Sequence, residues 1–185
     1  MHTVMDAVGE VFDGKRVAAS RDMRLDAPPR AVFPLLCPVL EYDWIEHWRC
    51  TLAYSESGVA ELGCTFVTDF PERGREVWTC TEYRPDKAVT WLRVHPERTV
   101  CLDLKLEPDG EGGCRLFWAA TATGVTEAGN TFVEKVFAPG YEQEMQLIET
   151  MLSHYLATGE ALPSGPSLDQ TLGQTLGQTL AEQRG

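Results

Sequence analysis

The sequence predicts an α+β fold in which a curved antiparallel sheet of about seven strands wraps around a long C-terminal helix. Three observations predict it. Between residues 17 and 123 short runs of alternating or continuous apolar character recur, separated by Gly-, Pro- and Asp-containing turns. After Thr126 the apolar period changes from two to that of a helix and holds until Gly159. A chain of 185 residues, 43% hydrophobic and 24% charged, is also long enough for one domain that encloses a cavity as well as a core.

Residues 1–14 read as an arm or short helix, ended by Gly14. In the first strand, Val17 to Leu25, Val17, Ala19, Met23 and Leu25 share a face interrupted by Arg21. A short helix follows from Pro28 to Cys37, because a proline suits a first turn and Val32, Leu35 and Leu36 recur at helical spacing. Cys50–Ser55 and Cys64–Phe70 form a hairpin in which Cys64, Phe66 and Phe70 share a face. Four more strands are expected at Glu76–Tyr83, Val89–Val94, Thr99–Glu107 and Arg115–Thr123. In the third of these, Val100, Leu102, Leu104 and Leu106 alternate with Cys101, Asp103, Lys105 and Glu107, which makes one face buried and the other wet. In the first, neither parity is purely apolar, so the direction of Trp78 stays open.

The helical region carries two apolar stripes, Phe132, Val133, Val136 and Phe137, then Leu147, Ile148, Met151, Leu152, Tyr155 and Leu156. Pro139-Gly140 lies between them, which allows one kinked helix or two in sequence. Gly159 is placed to end the helix in a left-handed cap. Residues 161–185 are a low-complexity tail with a Thr-Leu-Gly-Gln repeat, in which Gly173 and Gly177 each oppose helix formation by about 1 kcal/mol, so a flexible appendage is expected.

Sixteen basic against 28 acidic residues give a net charge of −12, which repels phosphate backbones and anionic membrane surfaces and argues against a nucleic-acid partner. The N-terminal residues contain acidic side chains and no long apolar run, so neither a signal peptide nor membrane insertion is expected, and a cytoplasmic location follows. The six cysteines stand at least thirteen positions apart, without a Cys-x-x-Cys pair, and read as buried free thiols. His-Glu-x-x-His, Gly-x-Ser-x-Gly and phosphate-binding glycine loops are all missing, so no metal, cofactor or covalent nucleophile is assigned.

The stretch Ala27 to Cys50 holds the densest aromatic and acidic cluster. Within Glu41-Tyr42-Asp43-Trp44-Ile45-Glu46-His47-Trp48, the carboxylates of Glu41 and Asp43 are candidates for general acid and base. A carboxyl held against indole rings loses solvation, and its pKa rises. His47 beside Glu46 is a candidate proton shuttle. The alternative is that the carboxylates cap a helix or pair with Arg30 or Arg49. Trp44, Trp48, Trp78, Trp91 and Trp118, with Phe66 and Leu102, are candidate walls of a ligand cavity, against the alternative that they fill the core. Asn130 and Tyr141 are candidate polar contacts, although Asn130 could equally cap the last helix.

Ala27-Pro28-Pro29-Arg30-Ala31-Val32-Phe33, Leu35-Leu36-Cys37-Pro38 and Glu41-Tyr42-Asp43-Trp44-Ile45 resemble the START-like (SRPBCC, Bet v 1-like) superfamily, in its polyketide cyclase/dehydrase and lipid-transport-like branch. Tyr54-Ser55-Glu56-Ser57-Gly58, Glu76-Val77-Trp78-Thr79, Gly129-Asn130 and the ending Tyr155 to Gly159 extend the resemblance over about residues 15–160. Glu46-His47 stands where a Pro or Gly is expected after Ile45. The resemblance implies a helix-grip fold whose residues 15–160 bind a hydrophobic small molecule, such as a lipid, polyketide or aromatic metabolite. It leaves open a cyclase/dehydratase that uses Glu41 or Asp43 with His47, a protein-interaction module, and a homodimer.

Overall fold

The computed structural model describes residues 11–71 and 73–163; the expected N-terminal arm falls largely, and the Thr-Leu-Gly-Gln repeat wholly, outside them. The strands are β1 (Arg16–Leu25), β2 (Thr51–Tyr54), β3 (Thr65–Phe70), β4 (Gly74–Arg84), β5 (Ala88–His95), β6 (Arg98–Pro108) and β7 (Cys114–Gly124). They form one antiparallel sheet in the order β1-β7-β6-β5-β4-β3-β2. All seven lie within a residue or two of the expected strands, because alternation is a local property that a half-buried strand must carry.

Between β1 and β2 the chain makes α1 (Pro29–Val32) and two 3-10 turns, Phe33–Leu36 and Leu40–Asp43. Pro34 at the start of the first turn, and Pro38 after it, prevent a longer helix. After β7 come α2 (Glu127–Phe132), a π-helical turn (Val133–Phe137) and α3 (Ala138–Thr158), continuous over 32 residues. Of the two arrangements the sequence allowed, it is the single helix, and Pro139 is absorbed by the π turn ahead of it. Thr126 is the N-cap, its hydroxyl accepting from Gly129 N at 3.1 Å. Gly159 closes the other end at φ 75°, donating to Tyr155 O at 2.7 Å.

The inward face of the sheet packs on this helix. Met23, Leu25, Leu116 and Ala122 meet a core that includes Val133, Ile148 and Leu152. Arg21, the odd member of the β1 face, reaches α3, where its Nε donates to Glu149 Oε2 at 2.8 Å and its Nη1 to Glu142. The helix start sits tightly on the sheet end: a Cβ on Gly129 would lie 1.8 Å from Glu97 O. No helix among the described residues is long and apolar enough to cross a membrane.

Trp78 points inward with Glu76 and Cys80, while Val77 is 41% exposed on the outer face. The mixed parity of β4 therefore comes from the buried Glu76 carboxylate on the inward face and from a register shift between Cys80 and Glu82, beyond which Tyr83 packs against the core.

Candidate functional site

Rows of inward side chains run across the sheet by register. Phe66 on β3 pairs with Trp78 on β4, Trp78 with Arg93 on β5, Arg93 with Val100 on β6, and Val100 with Ala122 on β7. One row further along, Trp91 pairs with Leu102 and Leu102 with Ala120. The helix crosses above these rows and the 3-10 turns close one side, which leaves a cavity of about 80 Å³.

The cavity wall contains Trp48, Trp78, Trp91, Trp118, Phe66 and Leu102 from the expected set, with Tyr141 from α3. Trp78 stacks on Phe66 (centroids 5.0 Å, 26° between planes), Trp91 meets Phe66 edge-on at 5.3 Å, and Trp48 meets Trp78 edge-on at 6.2 Å. Hydrogen bonds fix three of these rings. Trp48 Nε1 donates to Pro38 O at 2.7 Å, Trp78 Nε1 to Thr68 Oγ1 at 2.9 Å, and the Tyr141 hydroxyl to Trp118 O at 2.9 Å. Trp118 Nε1 is buried without an acceptor among the described residues.

One expected wall residue and one expected polar contact lie elsewhere. Trp44 is fully buried and donates to Leu35 O at 3.0 Å, so it pins the two 3-10 turns together as a core residue. Asn130 neither lines the cavity nor caps the helix. Its Oδ1 accepts from Lys15 N at 2.7 Å and its Nδ2 donates to Asp13 O at 3.1 Å, which clasps the chain leading into β1.

Of the three candidate acid–base residues, only Glu41 lines the cavity. Asp43 and His47 are exposed, and His47 sits 4.0 Å from Glu46 on the outer surface. A 3-10 helix turns about 120° per residue, so residues two apart face different ways. Glu41 keeps partial exposure yet its carboxyl is crowded by protein, and this burial pushes it up to about 8. No hydrogen bond or ion pair to it is found among the described residues, so the unopposed desolvation is the whole cause.

The cavity also holds charged residues that had no place among the sequence candidates: Arg73, Arg93 and Glu144. Arg73 Nη2 bonds Glu144 Oε1 at 2.5 Å. Arg93 Nε donates to Glu76 Oε2 at 3.0 Å, with Nη2 on the same oxygen, while Arg98 Nη2 reaches Glu76 Oε1 at 2.9 Å and Arg73 O at 2.6 Å. Burial alone would push the Glu76 carboxyl up, but the two guanidinium groups hold it below the usual carboxylate range. The signal for this cluster was present in the sequence as parity violations on neighbouring strands, Glu76 beside Trp78 and Arg93 beside Trp91. Among the described residues no group of three His, Cys, Asp or Glu side chains could hold a metal ion.

A curved seven-stranded antiparallel sheet gripping a 32-residue helix over an internal cavity defines a START-like, Bet v 1-like protein. Within that superfamily, the chain belongs to the family described as polyketide cyclase / dehydrase and lipid transport, which matches residues 16–152. No curated protein matches it. Solved structures share the fold at low identity. A Staphylococcus aureus protein of unknown function is 12% identical at TM-score 0.61, the match covering 80% of this chain and 97% of that one. The Aha1 dimer of Colwellia psychrerythraea is 16% identical at 0.57, covering 77% and 98%. A Thalictrum norcoclaurine synthase point mutant, in complex with a transition-state analogue, is 10% identical at 0.56, covering 80% and 98%.

Proposed function

We propose that this protein binds a hydrophobic small molecule, a lipid, polyketide or aromatic metabolite, in the cavity between sheet and helix, with residues 15–160 as the binding domain. The observation that carries the proposal is the wall itself: four indoles and the Phe66 ring surround a largely apolar space, with Trp48, Trp78, Trp91 and Phe66 held by ring contacts and Trp48 and Trp78 also by hydrogen bonds to Pro38 O and Thr68. Apolar burial contributes about 25 cal/mol per Å². Mass spectrometry of small molecules that co-purify with the protein identifies the ligand, and Trp78→Ala is expected to weaken its binding by about tenfold or more. An unchanged dissociation constant in that variant would count against the cavity as the binding site.

A second reading is favoured by one observation, the Glu41 carboxyl raised to about 8 within the cavity. Such a group is protonated at neutral pH and suits a general acid for enolisation or dehydration of a polyketone, as in a cyclase/dehydratase. The likeness of fold to a synthase captured with a transition-state analogue supports that this architecture accommodates chemistry. Incubating the co-purified compound with protein separates the readings: turnover that disappears in Glu41→Gln, with binding retained, selects the enzyme.

A further inference from the structure

The polar end of the cavity carries a charge that its apolar walls do not balance. Glu76, Arg93 and Arg98, on the inward faces of β4, β5 and β6, are 1%, 8% and 3% exposed. Among the described residues, two guanidinium groups share the single Glu76 carboxylate, which leaves one positive charge in excess, while the Arg73–Glu144 pair beside them is neutral as a pair. His95 does not alter the balance. Its Nδ1 accepts from Glu97 N at 3.1 Å and from Arg98 Nη1 at 3.3 Å, and burial, then the Arg98 charge, push its pKa down, so the ring is neutral at neutral pH.

Arg93 is the member of the trio that lines the cavity. Nε and Nη2 are engaged by Glu76, and the guanidinium lies over Trp78 with Cζ 4.4 Å from the ring centroid. Nη1 has no acceptor among the described residues. A nearly buried guanidinium that shares its one carboxylate with a second guanidinium is costly unless a further anion meets the surplus charge, and its planar fork matches a carboxylate. The stacking on Trp78 and the Glu76 bonds hold the fork in place beside the aromatic wall, so little side-chain freedom is lost on binding. Glu41, protonated at neutral pH, adds no opposing negative charge to the same cavity. Trp118, whose ring lines the same wall, keeps a buried Nε1–H with no acceptor among the described residues.

We infer that the cavity selects an apolar monocarboxylate, with its hydrophobic body among the indoles and its carboxylate on Arg93. This rests on the ligand-binding function proposed above and names the chemical class that function would serve. The overall charge of −12 gives no attraction for anions at long range, so the preference must come from this local group.

The test is isothermal titration calorimetry at neutral pH with three probes of one ring system: 2-naphthoate, its neutral amide, and 2-naphthylmethylammonium. Naphthoate is expected to bind at least about tenfold more tightly than the amide, with the ammonium weakest. Arg93→Gln removes the charge and leaves an amide able to donate to Glu76. In that variant naphthoate is expected to fall to within about twofold of the amide. If the amide binds the wild-type protein as tightly as naphthoate, or if the preference survives in a folded Arg93→Gln, the assignment is overturned while ligand binding stands. If none of the three binds, the ligand-binding function itself is overturned, and this assignment with it. Should Arg93→Gln fail to fold, the order of the three probes on the wild-type protein decides.

Discussion

The side-chain oxygen of Asn130 accepts a hydrogen bond from the backbone N–H of Lys15 at 2.7 Å, while its amide donates to Asp13 O at 3.1 Å. This reciprocal clasp joins the chain entering β1 to the first turns of the long helix, and the side chain is 6% exposed. Replacing it removes both hydrogen bonds from a part-buried site. Asn130→Ala is expected to destabilise the protein by about 1–3 kcal/mol in urea denaturation, with the affinity of the cavity for its ligand unchanged. A loss of affinity without a loss of stability would return Asn130 to the ligand site.

Glu41 sets a second expectation, in the pH dependence of stability. Its carboxyl titrates near 8 in the folded protein against an ordinary value of 4.5, so the unfolded chain releases its proton first as pH rises. Stability from this group is intact below pH 4.5 and declines as pH rises toward 8, by at most about 1.4 kcal/mol per pH unit. Glu41→Gln cannot ionise. Thermal melts should find it close to wild type in acid and more stable than wild type at pH 8. Parallel curves for the two proteins would show that Glu41 titrates normally.

Glu76 has the opposite sign. Arg93 and Arg98 hold its folded pKa below the ordinary carboxylate value, so its contribution is present above that ordinary value and is lost as pH falls through the folded pKa. Removing the one carboxylate strands two buried guanidinium groups. Glu76→Gln is expected to cost about 3–5 kcal/mol, measured by denaturant unfolding at neutral pH. A cost below about 1 kcal/mol would mean that solvent reaches the cluster.

All six cysteines are unpaired, and Cys37, Cys64, Cys80 and Cys114 are buried whereas Cys50 and Cys101 are half-buried. Burial pushes the Cys80 thiol up to about 12 and that of Cys114 up to about 11, so neither supplies thiolate at neutral pH. Thiol labelling of the native protein should modify Cys50 and Cys101 first. A separate, unlabelled sample denatured without reductant should show six reactive groups, and fewer than five would indicate a disulfide.

The architecture was legible in the sequence because its signals are local. Val100, Leu102, Leu104 and Leu106 alternate within one strand, and the stripes from Phe132 to Leu156 repeat within one helix, whatever lies opposite them. A strand that must bury one face carries that requirement in its own residues. The tryptophans could be assigned to the interior on the same ground, since large apolar rings go inward with or without a ligand. The sequence could not separate Trp44 from Trp48: both stand in one short stretch, and only the path of the 3-10 turns turns Trp44 into the core and Trp48 into the cavity. Which charges pair at the polar end of the cavity was decided by tertiary structure. Glu76 meets Arg93 and Arg98 across 17 and 22 residues of chain, and the pairing exists because strand register brings three neighbouring strands together at one end of the sheet. Alternation reports which face a residue shares. Whether a charge on that face is an error or half of a buried pair depends on the strand beside it, which local periodicity does not contain.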